Sequence, residues 1–379
     1  MNYIELHKEH KANSLFGRYI TLKDIEPILS KFPSEIIGKS VLGKPIYKYT
    51  IGTGKTKIFM WSQMHGNEST TTKALFDFFN VIHSQEEIGV KLLQEFTFCF
   101  IPMVNPDGAE LYTRENANKV DLNRDSVDLS QPESQLLRIT FEDFKPDFCY
   151  NLHDQRTIFG AGTTGNVATV SFLAPSFNEN RDVNEIRSKA MNVIVAMNEE
   201  LQEHIPNQVG RFDDGFNIIC IGDMFTFLNV PTILFEAGHY QDDYYREYTR
   251  KMIFISLISG LKYIYENDIV NNEIAEYLSI PQNNIAFYDF LYKNIKINYD
   301  GKEIITNFAA QYKEELIDGK IQFNAYIAEI GELKGKFGHY LYNAHKMLYS
   351  DENENIPKLN QKANFCLGKN VKIVNGLKK

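Results

Sequence analysis

Between Lys57 and about Tyr265, short apolar runs alternate with longer segments of helical periodicity, a pattern that points to an α/β domain with a largely internal sheet. The runs are KIFMWSQMH, FTFCFIPMVNP, DFCYNLH, ATVSFLAP and VPTILFEAG. The segments between them predict helices over 69–84, 133–144, 180–204 and 242–265. A Ser/Thr cluster suited to N-capping opens the first, and Pro132 precedes the second at a position compatible with a helix start.

The chain changes character toward its C-terminus, where IAFYDFLYKNIKINYDG, KEIITNFAAQYKEEL and KIQFNAYIAEIGEL favour strands separated by DG turns. At 379 residues the chain exceeds what one hydrophobic core serves, so a small β-rich module beside the larger domain is expected. The expected division is 1–270 and 271–379, with the boundary in the polar stretch 271–284 around Pro281.

A net charge of -9 without a basic stripe gives no reason to expect a nucleic-acid partner. The first twenty residues scatter charge throughout and lack the roughly 7–15-residue apolar core of a secretory signal. Nor is there a run of roughly 18 apolar residues that would span a membrane, so a cytoplasmic protein with no membrane partner is expected. Cys99, Cys149, Cys220 and Cys366 are far apart, and the first three sit in strand-like apolar runs. They read as reduced, small hydrophobes rather than a disulfide framework or a cysteine zinc site.

Four polar groups stand just past the ends of apolar runs: His65 and Glu68 after KIFMWSQM, His153 after DFCYNL, and Glu236 after VPTILF. In open α/β sheets ligands bind at the carboxyl ends of strands, so groups distant in sequence can converge there. His65 and Glu68, three residues apart in HGNES with Gly66 allowing a tight turn, can aim an imidazole and a carboxylate at one point. His153 would complete an open His₂Glu set of the catalytic zinc type. His7 and His10 lie in a polar terminus, and His83 and His204 on helix faces expected to be exposed; His239, three residues after Glu236, is the rival ligand.

HGNE, NPDG at 105–108 and RENANKVDLNRD at 114–125, in that order, resemble motifs of the zinc carboxypeptidases, over about residues 35–265. The resemblance implies a mixed sheet flanked by helices and one Zn²⁺ per chain, held by His65, Glu68 and His153. It further implies Glu236 as general base, Arg114 as stabiliser of the oxyanion, Asn123 and Arg124 as the grip on a terminal carboxylate, and Asp121 as the carboxylate that orients a zinc histidine. These roles suit the chemistry: zinc lowers the pKa of its water from about 15.7 to ~7, a fixed cation stabilises developing negative charge, and an arginine fork matches a carboxylate.

Two features depart from the family. No tyrosine stands where many members carry a mobile one between the second histidine and the glutamate; GRFDDGFN offers Phe212 and Phe216, and Tyr240, Tyr244 and Tyr245 come after Glu236. The loop FGAGTTGN at 159–166 reads either as pocket lining or as turn chemistry. The expected function is a metallocarboxypeptidase cutting the C-terminal bond of a peptide that presents a free carboxylate. The alternatives are an aspartoacylase- or succinylglutamate desuccinylase-like amidohydrolase acting on N-acyl amino acids, and a non-catalytic peptide-binding descendant.

Overall fold

In a computed structural model that describes residues 1–267, 273–299, 301–352 and 355–379, the apolar runs become strands. Preceding the C-terminal module are β1 (Ser34–Lys39), β2 (Pro45–Gly52), β3 (Thr56–Ser62), β4 (Phe96–Ile101), β5 (Phe148–Asp154), β6 (Phe159–Ala161), β7 (Val170–Leu173), β8 (Val209–Arg211) and β9 (Thr232–Ala237). All but β6 form one eight-stranded sheet in the order β1-β2-β4-β3-β5-β9-β7-β8. The central β4, β3, β5 and β9 run parallel. Antiparallel pairings of β1 with β2, β2 with β4 and β7 with β9 make the sheet mixed.

The two-residue period of a strand sends alternate side chains to opposite faces. Along β3, Ile58 and Met60 enter one core while Phe59 and Trp61 enter the other. The helices of this part are α1 (Tyr3–His10), α2 (Leu22–Leu29), α3 (Thr70–Ile82), α4 (Glu87–Glu95), α5 (Pro106–Leu111), α6 (Pro132–Phe144), α7 (Glu185–Gln202), α8 (Ile221–Phe227), α9 (Glu247–Glu266) and α10 (Ile274–Ser279). Phe76 and Phe79 of α3, Met191 and Ile194 of α7, and Ile253 and Leu257 of α9 close the first face. Leu137 and Phe141 of α6, with Phe225 of α8, close the second. Each such side chain contributes about 1.5–3 kcal/mol by leaving water.

Helices α7 and α9 start later than their sequence patterns suggest, because polar caps set the starts. Asn184 accepts from the Arg187 N–H. The Asp243 carboxylate takes the N–H groups of Glu247, Tyr248 and Thr249. Cys220 corrects another expectation: it lies in no strand but at the N-cap of α8, whereas Cys99 and Cys149 are buried in β4 and β5, and all four cysteines are free. The N-terminal stretch, read as a polar terminus, carries α1, and its His7 is buried against Asp77.

The chain divides into two units, 1–155 with 168–283, and 156–167 with 284–379. The boundary expected between 270 and 271 lies outside the described residues. Strand β10 (Asn283–Ile285) spans the position where the later division falls. The second unit holds β11 (Phe287–Tyr299), β12 (Lys302–Ile317), β13 (Lys320–Gly331) and β14 (Phe337–Asn343), ordered β13-β12-β11-β14. A small antiparallel sheet follows, of β15 (Tyr349–Ser350), β16 (Phe365–Leu367), β17 (Val371–Val374) and β18 (Leu377–Lys378). Phe290, Tyr292, Phe308, Tyr349 and Phe365 pack its core. Asp318 and Gly319, both at positive φ (50° and 72°), make the β12–β13 turn that the DG dipeptide predicts.

Candidate metal centre

The carboxyl ends of three parallel neighbours, β3, β5 and β9, bring the site together. The chain leaves β3 at Ser62, and Gln63 bends it with a left-handed φ of 49°. Gly66 then passes so close to the NPDG turn that an added Cβ would lie 1.9 Å from the Gly108 carbonyl carbon. Asn105, the first residue of that turn, binds the loop from the other side: its N–H reaches Gln63 O at 3.1 Å and its Nδ2 reaches Met64 O at 3.2 Å. NPDG is thus the wall against which the HGNE loop is shaped. Gly66→Ala should therefore push two backbones apart, with an expected destabilisation of about 1–3 kcal/mol. The resulting drop in Tm should be accompanied by lower zinc content, since His65 and Glu68 flank the displaced residue.

The predicted ligands converge. His65, Glu68 and His153 are all buried, and one donor atom from each lies within 4.8 Å of the others. His65 Nδ1 is 2.8 Å from Glu68 Oε1, His153 Nδ1 is 2.9 Å from Glu68 Oε2, and the two Nδ1 atoms are 3.1 Å apart. Ligands about 2.0–2.1 Å from a tetrahedral zinc sit roughly 3.3 Å from one another. The set has the donor types and nearly the spacing for a single zinc ion. Another group of similar closeness among the described residues, Glu9, His10 and Glu86, lies at the surface. His239, the rival ligand, is buried elsewhere, with its ring 4.7 Å from that of Tyr244.

Electrostatics prepare the set for a cation. Burial opposes ionisation of Glu68, but the two imidazoles outweigh it and hold the carboxyl well below its usual range. Burial lowers the pKa of His153, favouring the neutral ring that ligates metal. For His65 burial is outweighed by Glu68 and Asp121, and its pKa rises. Asp121 lies 3.0 Å from His65 Nε2, accepts the Asn123 N–H at 2.9 Å, and accepts from Arg114 Nε at 3.0 Å. It thereby fixes the ring orientation that leaves Nδ1 toward the other ligands. Arg114 also brings Nη1 within 3.2 Å of His65 Nδ1 and 3.4 Å of Glu68 Oε1.

Glu236 stands on β9 directly across from His153 on β5. Its Oε2 is buried without a hydrogen-bond partner among the described residues. Burial, reinforced by the Glu68 and Asp154 charges, pushes its pKa well above the ordinary glutamate value. Arg124 and Asn123 lie on a single turn, Leu122–Arg124, capped by Asp121. The Asn123 side-chain oxygen is taken by the Ile221 N–H at 3.0 Å, so only its amide NH₂ remains to donate. Arg124 hydrogen-bonds the Asn123 carbonyl at 2.8 Å, and no hydrogen bond joins it to the metal ligands among the described residues.

Two acidic groups gained no role from the sequence pattern. Asp223 in α8 lies near the Arg124 charge, and burial pushes its pKa up to about 6. Its short helix shows too little periodicity to be seen in advance. Asp154, next to His153, accepts the first N–H groups of α3 from Thr70 and Thr71. Among the aromatic candidates, Tyr240 stacks on Tyr248 and Tyr245 packs on Phe16. The FGAGTTGN loop belongs to the second unit, where Gly165 lies against Phe337.

Residues 25–153 match the zinc carboxypeptidase family model. Carboxypeptidase 2 of Trichophyton tonsurans is 25% identical over 126 residues, 33% of this chain and 22% of that protein. Gamma-D-glutamyl-L-diamino acid endopeptidase 1 of Lysinibacillus sphaericus is 34% identical over 101 residues, 24% of this chain and 26% of that protein. The chain thus spans about a fifth to a quarter of these relatives' length. A metallo-carboxypeptidase from Burkholderia cenocepacia shares the fold with a TM-score of 0.51 at 16% identity, over 64% of this chain and 68% of that one. Over residues 25–153 this chain is therefore similar to the zinc carboxypeptidases, it shares their fold, and it holds a buried His–Glu–His set suited to zinc.

Proposed function

We propose that the chain is a zinc metallocarboxypeptidase that hydrolyses the C-terminal peptide bond of a substrate presenting a free carboxylate. The observation that carries this reading is Glu236, a half-buried side chain in register with a metal ligand, whose Oε2 is buried with no hydrogen-bond partner among the described residues. When bound, zinc supplies a water of lowered pKa and polarises the scissile carbonyl. Glu236 takes the proton from the attacking water and returns it to the leaving amine. Arg114, already beside the ligand set, stabilises the oxyanion. Arg124 and the Asn123 amide hold the terminal carboxylate, which sets the bond to be cut at a fixed distance from Glu236.

Arg124→Ala should weaken substrates with a free C-terminal carboxylate far more than amidated analogues, because only the former lose a charge-assisted fork. A loss of about 10-fold or more in kcat/KM is expected for the free acids, from ~1.5–3 kcal/mol for a hydrogen bond to a charged group. Equal losses on both kinds of substrate would argue against the anchor.

A second reading draws on the relative from Lysinibacillus sphaericus, whose name describes cleavage beside an L-diamino acid. By that reading the substrate is a γ-D-glutamyl-diamino acid peptide, which also presents a carboxylate to Arg124. A panel of ordinary peptides, γ-D-glutamyl-diamino acid peptides and N-acyl amino acids, with and without added zinc, separates the readings. Turnover of N-acyl amino acids alone would favour an amidohydrolase. Zinc binding with no turnover of any class would favour a peptide-binding descendant.

A further inference from the structure

We propose that Arg18, on the segment preceding α2, is a positioning residue for the metal centre, acting through Asp154 on the Glu68 and His153 ligands. Arg18 precedes the residues matched by the family model, which begin at 25. The proposal rests on the assignment of zinc to His65, Glu68 and His153.

The segment is firmly held. Arg250, fully buried, grips Asp77 with Nε at 2.7 Å and Nη2 at 2.6 Å. The same guanidinium donates to the Leu15 and Ala12 carbonyls at 2.6 and 3.0 Å, and the Ala12 N–H returns a bond to Asp77 at 2.7 Å. From there the chain runs to the metal loop. Ser69 Oγ donates to Arg18 O at 2.6 Å, and Gln63 Nε2 bridges Ile20 O at 2.8 Å and Gly66 O at 2.9 Å. Ser69, which ends HGNES, and Gln63, just before it, are therefore both bonded to residues 18–20.

The Arg18 side chain, only 6% exposed, brings Nη1 to 3.5 Å from Asp154 Oδ2 and 3.4 Å from Thr70 Oγ1. The same Asp154 oxygen accepts the Thr70 N–H at 3.0 Å, and the other accepts the Thr71 N–H at 3.3 Å. The Asp154 backbone N–H donates to Glu68 Oε2 at 3.1 Å. One residue thus touches a ligand through its main chain, adjoins another in sequence, and is fixed by the start of α3 and by Arg18. A buried carboxylate that lost its cation would be left undercompensated and free to pull away from this geometry. Groups that orient ligands in this way typically matter by about 10–100-fold in metal affinity.

Charge and position predict opposite results, which makes the proposal testable. Removing a nearby cation would by charge alone tighten zinc binding, whereas losing a positioning contact weakens it. In competition against a chelator of known affinity, Arg18→Met should bind Zn²⁺ about 10–100-fold more weakly than wild type. Arg18→Lys, which keeps a charge near Asp154, should recover most of that loss. In an Asp154→Asn background, Arg18→Met should change zinc affinity by less than about twofold, since the partner is already gone. Unchanged or tighter zinc binding in Arg18→Met would overturn the proposal, as would a full additional loss in the Asp154→Asn background. Should Arg18→Met not fold, Arg18→Lys measured with and without Asp154→Asn decides by the same coupling: a change in affinity that disappears in Asp154→Asn supports the proposal, and an unchanged or additive one overturns it. Wild-type chain that bound no zinc would overturn the metal assignment itself, and this proposal with it.

Discussion

Glu236→Gln should lose at least about 10²–10⁴-fold in kcat, the usual worth of general-base assistance, while keeping its zinc. The substitution preserves the shape of the side chain and removes only its capacity to take a proton. Retained metal is to be expected because Glu236 is not part of the converging ligand set of His65, Glu68 and His153. Glu236 also sits where burial and the charges of Glu68 and Asp154 resist a further negative charge. As pH falls the base is protonated and the rate is lost, so the acid limb of the wild-type profile belongs to Glu236 coupled to the metal site. The variant should lose that limb with its rate. Near wild-type turnover with zinc bound would sink Glu236 as the base. Asp154 and Asp213 would then be the next carboxylates to test as the base. Asp154 is already occupied by the start of α3. Asp213 is exposed and hydrogen-bonded to the Gly215 N–H.

His153→Ala should remove most of the zinc. A ligand is lost outright, so affinity should fall by more than the roughly 10–100-fold typical of residues that merely orient ligands. The vacancy also leaves Glu68 without one of the two imidazoles that keep its carboxylate ionised. Zinc analysis of purified protein against His239→Ala gives the comparison. Full zinc in His153→Ala with none in His239→Ala would refute the ligand set, whereas the reverse is expected from the separate burial of His239 against Tyr244.

Much of this was legible in the residues. Five apolar runs gave β3, β4, β5, β7 and β9, because a strand covered on both faces must be apolar throughout its short length. The HGNE, NPDG and RENANKVDLNRD motifs supplied candidates because each is contiguous, and contiguous spacing survives translation into structure. Helix starts were less legible, since Asn184 and Asp243 cap from positions that resemble any polar loop. His7 gave no sign of burial, as nothing local to α1 announces Asp77, seventy residues away.

By itself the sequence determined the strand periods, the order of motifs and the chemical types at the metal centre, all of which depend on residues near one another in the chain. Tertiary structure decided what depends on approach between distant segments. It brought His153 Nδ1 to 2.9 Å from Glu68, pressed Gly66 against Gly108, and set Glu236 across from His153. It also placed Arg18 beside Asp154, a contact 136 residues apart with no motif to mark it (154 − 18). The physical reason is that burial and pairing energies belong to the packed neighbourhood. An arginine in a polar stretch and one neutralising a buried carboxylate are the same letter until the chain has folded.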